Sequence, residues 1–147
     1  MDNQNNKNIK TMKLLSLFAL FTCFTIQTSA QCVKGNCHKG HGTFNWENGD
    51  IYAGSWDDGL PNGYGDFFHE NGDNYKGQFK KGKKEGNGKY NWKNGDYYDG
   101  AWKDDQANGR GKYHWANEGA TYEGSFEAGK PTNIEVGEAV KTPENKD

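Results

Sequence analysis

The chain has 147 residues, a net charge of −2, 32% hydrophobic residues and a mean hydropathy of −1.14, set against 21 glycines and an aromatic content of 14%. Aliphatic side chains are too sparse for the Leu, Ile and Val core of an ordinary globular domain, so rings that each bury roughly 150–250 Å² must supply the cohesion. A weakly acidic chain with mixed charges lacks the basic face that nucleic-acid binding needs, and that partner class is set aside.

In chain order, Lys7, Lys10 and Lys13 precede an apolar run from Leu14 to Ile26, and the small residues Thr28 and Ala30 come just before Gln31. This pattern predicts a cleavable secretory signal peptide over residues 1–30 and a secreted or periplasmic address. The run falls short of the ~18–20 residues that a membrane-spanning helix requires. Met12, directly before Lys13, offers an alternative start to Met1.

Beyond residue 30 two cysteines remain, Cys32 and Cys37. An even pair in an exported chain points first to a disulfide, here holding an N-terminal cap over residues 31–39. A metal site with the neighbouring His38 and His41 is the rival, and a haem attachment fits poorly because four residues, not two, separate the cysteines. We expect neither a metal nor a cofactor.

The next stretch repeats itself. Tyr52, Gly54, Trp56, Gly59, Gly63, Gly65, Phe67, Asn71, Gly72 and Asp73 return as Tyr75, Gly77, Phe79, Gly82, Gly86, Gly88, Tyr90, Asn94, Gly95 and Asp96. A third copy runs from Tyr98 through Gly100, Trp102, Gly109, Gly111 and Tyr113, with Asp105 where a turn glycine stood. A fourth opens with Tyr122, Gly124, Phe126 and Gly129, and a half copy precedes the first at Gly40, Gly42, Phe44, Asn48, Gly49 and Asp50. The period is roughly 23 residues and defines an array over 40–130, followed by a partly disordered tail over 131–147 that contains a candidate C-terminal cap at Asn133 to Val136. Each half copy alternates with period two, as strands do, with Gly82 and its counterparts turning the chain between halves and Asn-Gly-Asp between copies. One copy is therefore one β-hairpin, and the fold class is all-β. Central strand glycines cost stability unless a ring covers them. Gly54, Gly77, Gly100 and Gly124 are the expected sockets, with Trp56, Phe67, Phe79, Tyr90, Trp102, Tyr113 and Phe126 as the plugs.

These residues, YxGxWxxGxxxGxG followed by an aromatic and Asn-Gly-Asp, resemble the MORN (membrane occupation and recognition nexus) repeat. The resemblance implies an elongated, single-layer, twisted antiparallel sheet of tandem hairpins that serves as a scaffold or interaction module, with membrane or phosphoinositide contact proposed for some members.

No catalytic constellation is expected, since Ser55 and Ser125 are the only serines after residue 30 and neither lies in a nucleophile elbow. Two surfaces are candidates. Lys80, Lys81, Lys83 and Lys84 around the Gly82 turn form the dense basic cluster suited to an anionic phospholipid surface. Trp46, Trp56, Trp92, Trp102 and Trp115 form an aromatic ribbon suited to a protein partner or, alternatively, to stacking on a glycan. Unpaired terminal strands would also permit end-to-end self-association.

Overall fold

The computed structural model describes residues 30–132. Apart from Ala30, the predicted signal peptide lies outside the described residues, as do the candidate cap at 133–136 and the tail beyond Thr132. The strands are β1 (Gln31–Gly35), β2 (Gly40–Asn45), β3 (Ile51–Asp57), β4 (Leu60–Phe68), β5 (Asn74–Lys80), β6 (Lys83–Asn91), β7 (Tyr97–Lys103), β8 (Gln106–Trp115), β9 (Ala120–Glu127) and β10 (Lys130–Pro131). Together they make one open antiparallel sheet in which every strand lies beside its neighbours in sequence. The all-β array of hairpins is thus the observed fold, and each repeat supplies one hairpin, from β3–β4 to β9–β10. At its two ends the sheet runs further than the repeat predicts. β1 pairs with β2, so the N-terminal cap is itself a strand, and Pro131 pairs with Phe126 instead of beginning the tail.

The hairpins close through the two-residue turns Asp58-Gly59, Lys81-Gly82, Asp104-Asp105 and Ala128-Gly129, with both residues of each at positive φ. This is the mirror-image turn whose twist matches that of the flanking strands. The third turn dispenses with glycine, and Asp105 stands at φ 67°. Its carboxylate offsets the strain by accepting the Lys84 N–H at 2.8 Å, while its own N–H donates to the Lys84 carbonyl at 3.1 Å. The turn N–H groups of Gly59, Gly82 and Gly129 likewise donate to the carbonyls of His38, Pro61 and Ala107 in the preceding unit. Each hairpin tip is thereby fastened to the one before it.

The socket-and-plug device is present, but the plugs differ from those expected. The rings over the glycines are Tyr52, Tyr75, Tyr98 and Tyr122, each lying back along its own strand over the glycine two residues on. A Cβ on Gly77 would meet the Tyr75 hydroxyl and the Gly88 Cα, both at 2.5 Å. The reason is a β-bulge. β3, β5 and β7 each slip register just after the socket glycine, at Ser55, Gln78 and Ala101, which draws Trp56, Phe79 and Trp102 away from it. The carbonyls of Ser55, Gln78 and Ala101 accept the hydroxyls of Tyr52, Tyr75 and Tyr98, at 3.0, 3.0 and 2.9 Å. The half copy has no such tyrosine. There Cys37, disulfide-bonded to Cys32, packs against Gly42, where a Cβ would meet its Sγ at 2.8 Å.

Between the sockets the tyrosines interlock with the displaced rings edge to face. Tyr52 touches Trp56 and Phe79, Tyr75 touches Phe79 and Trp102, and Tyr98 touches Trp102 and Phe126, all with centroids 4.8–5.2 Å apart. Aromatic pairs favour this geometry. The result is a buried spine crossing the sheet from repeat to repeat, and it serves as the core.

Candidate binding face

All the spine rings lie on one face, and two further rows stand beside them. Phe44, Phe67, Tyr90 and Tyr113 form the first row; Trp46, His69, Trp92 and Trp115, two residues further along the chain at or just past the strand ends, form the second. Within each pair the ring centroids are 4.8, 4.6, 4.6 and 4.7 Å apart. The second row also reaches into the next repeat, where Trp46 meets Phe67 at 5.4 Å and Trp92 meets Tyr113 at 5.3 Å. Trp46, Trp92 and Trp115 are half-buried and uncovered by any other layer among the described residues.

This arrangement corrects the predicted ribbon of five tryptophans. Trp56 and Trp102 are 5% and 7% exposed and belong to the spine. Their indole N–H groups donate to the carbonyls of Gly42 at 3.0 Å and Gly88 at 2.8 Å, so they stitch neighbouring hairpins together instead of facing a partner. Burial also acts on the tyrosines, pushing the Tyr52 and Tyr98 hydroxyls up to about 12.

The basic cluster divides in the same way. Lys80, Lys81 and Lys83 are exposed at the turn, and Lys83 is bound to Asp104 at 3.0 Å, which raises the lysine pKa and lowers that of the aspartate. Lys84 is turned onto the aromatic face instead. Its ammonium lies 4.8, 5.1 and 5.7 Å from the ring centres of Tyr90, Trp102 and Tyr75, and desolvation lowers its pKa. The four lysines do not form a single patch.

The opposite face is chiefly polar, with Lys76 paired to Asp66 at 3.3 Å. Tyr64 and Phe68 are nonetheless 55% and 47% exposed there. The same face carries a hydrogen bond of 3.2 Å between Ser55 Oγ and His41 Nε2. No acidic group orients the second His41 nitrogen among the described residues, so the pair lacks the third member of an activated nucleophile.

A contact network that the sequence does not announce links the loops. In each Asn-Gly-Asp loop one aspartate oxygen accepts the asparagine amide and the other reaches forward to the next loop. Asp50 accepts the Glu70 N–H at 3.0 Å, Asp73 the Lys93 N–H at 2.9 Å and Asp96 the Ala116 N–H at 2.8 Å. Tyr90 and Tyr113 donate to Asp73 and Asp96 as well. The Ala116 N–H, with help from Asn94 and Tyr113, holds the Asp96 carboxyl below the usual range. At Asp73 burial works in the opposite sense, but the Lys93 N–H, the Tyr90 hydroxyl and the Asn71 amide outweigh it.

Depressed folded-state values mean that these carboxylates stabilise the fold above the unfolded value, near pH ~3.9, and that this contribution is lost as pH falls through the folded values. Thermal melts followed by circular dichroism should therefore be flat from neutrality to about pH 5 and fall steeply below about pH 4. Asp73→Asn should lower the neutral melting temperature and make the acid limb shallower. An acid limb identical to that of the parent would show that the latch is inert.

Comparison with known families matches a model described as MORN repeat to residues 39–51, 52–74, 75–97 and 98–119. No curated protein matches the sequence.

Proposed function

This chain belongs to the MORN repeat family, as a repeat protein for binding or scaffolding, and from that premise we propose a non-catalytic, exported module that holds a protein partner on the aromatic face of its sheet. One observation carries the proposal. Three tryptophans, Trp46, Trp92 and Trp115, stand half-buried beside the spine with no further layer over them among the described residues. Rings of this kind, pre-ordered and partly dry, are the usual anchors of protein interfaces.

Two further features support the proposal. The Cys32–Cys37 disulfide suits an oxidising compartment and so an exported chain. The division of the lysines, with Lys83 paired and Lys84 facing rings, leaves little of the basic tip for an anionic membrane.

The test is recovery of cross-linked partners from native culture with four versions of the protein. These are the parent, a Trp46→Ser, Trp92→Ser, Trp115→Ser triple variant, Phe68→Ser on the opposite face, and Lys80→Gln with Lys81→Gln at the tip. Partners should be lost with the triple variant alone. Retention by the triple variant, or loss with Phe68→Ser, overturns the assignment of the face. A Trp fluorescence shift on adding soluble polysaccharide, abolished by Trp92→Ala, would transfer the face to a glycan.

A further inference from the structure

Two departures from the repeat meet in one place. The second row runs Trp46, His69, Trp92, Trp115, so that an imidazole stands where the other copies have an indole. Across from the spine ring, the other hairpins place small apolar residues, Pro61 opposite Trp56, Ala107 opposite Trp102 and Pro131 opposite Phe126, but Lys84 stands opposite Phe79. His69 and Lys84 come from different hairpins. They nonetheless line the same cavity of about 180 Å³, together with Phe67, Tyr75, Phe79 and Asp105.

The groups around this cavity are complementary to one kind of occupant. Half-buried Phe67 and the buried spine rings Tyr75 and Phe79 line it, and an aromatic neighbour packs well against such rings. The Lys84 ammonium, within 6 Å of three ring centres, makes no hydrogen bond or ion pair among the described residues and attracts a further π face. One Asp105 oxygen is held by the Lys84 N–H, and the carboxylate lines the cavity as an acceptor. His69 packs on Phe67 with ring centroids 4.6 Å apart, and its Nδ1 lies 3.7 Å from Asp50. In size the cavity exceeds the ~150 Å³ that suffices for benzene in an apolar protein interior.

Building on the aromatic face as the binding face, we propose that this cavity is the specificity pocket of the array and takes an electron-rich aromatic side chain with a hydrogen-bond donor, Trp or Tyr, from the partner polypeptide. The partner ring completes the row that His69 interrupts. It stacks beside His69, in the space that the smaller imidazole leaves where the other copies have an indole, receives the Lys84 cation on its face and donates to Asp105.

The experiment uses free indole as the probe, titrated into the protein and into two variants, with the Lys84 side-chain resonances and ligand saturation transfer followed by NMR. Indole should bind in the millimolar range, shift the Lys84 resonances upfield and be matched by phenol, whereas cyclohexanol and inorganic phosphate should leave them unmoved. His69→Trp restores the residue of the other copies, so the variant should fold and melt no lower than the parent, yet lose indole binding by at least about tenfold because its own ring fills the site. Lys84→Met keeps the stem and removes the charge, and should weaken indole several-fold.

Equal indole binding by His69→Trp, equal binding of cyclohexanol, or no binding of indole at all overturns the proposal. The wider assignment of the face is judged separately. Cross-linked partners that survive His69→Trp but vanish with the Trp46, Trp92, Trp115 triple variant would remove the pocket and leave the face intact.

Discussion

Tyr75→Ala is expected to lower the unfolding free energy by about 3–5 kcal/mol, the range for truncating a large ring in a packed core. Tyr75 is among the most buried side chains, at 1% exposure, and is wedged edge to face between Phe79 and Trp102, rings of successive hairpins. Its removal strikes the fold twice. It opens a hole in a core only one ring deep, and it uncovers the paired backbones of Gly77 and Gly88, on which the Tyr75 ring lies. Because a hairpin array is held by nearest-neighbour interfaces, the same change should divide the cooperative unit. Urea unfolding monitored by Trp fluorescence should show both a lower midpoint and a shallower slope.

Tyr75→Phe separates the ring from its hydroxyl. It should cost only about 1 kcal/mol, for the bond to the Gln78 carbonyl. Should Tyr75→Ala prove no worse than Tyr75→Phe, the spine would not be the core.

Gly88→Ala is the second large effect, and here two principles predict opposite signs. Replacing a strand glycine by alanine should stabilise by about 0.5–1 kcal/mol through backbone entropy alone. Against this, a Cβ on Gly88 would run into the hydroxyl and ring carbons of Tyr75. The ring is held in place by Phe79 and Trp102, packed edge to face, and by the Gln78 carbonyl at its tip. Overpacking of this kind costs about 1–3 kcal/mol, so the net change should be destabilising. The coupling makes the point testable by a double-mutant cycle. In a Tyr75→Ala background the methyl enters vacated space, and Gly88→Ala should become neutral or stabilising there. Additive costs would show that the glycine is required by the backbone and not by the ring.

Much of the candidate site could be read from residues alone, because spacing is what the repeat conveys. The alignment of Trp46, Trp92 and Trp115 at one register is visible in the sequence, and so is the interruption at His69. Its meaning was not visible, since nothing in a row of letters shows that His69 and Lys84, from different hairpins, border one cavity. The aspartates of the Asn-Gly-Asp loops were legible as turn formers. Their forward bonds to Glu70, Lys93 and Ala116 span about 20 residues and depend on how closely the loops stack.

By itself the sequence determined the hairpin, the period and the face, because period-two alternation and Gly-containing turns are local properties that the chain must obey wherever it folds. Which ring covers which glycine was decided only by the tertiary structure. Tyr75 and Phe79 flank Gly77 symmetrically in sequence and share its face, so spacing cannot choose between them. The bulge at Gln78 chooses, drawing Phe79 out of line and turning a carbonyl toward the Tyr75 hydroxyl. The same decision moved Trp56 and Trp102 into the spine and left Trp46, Trp92 and Trp115 beside it, since a face one ring deep has room to bury only the row nearest the sockets.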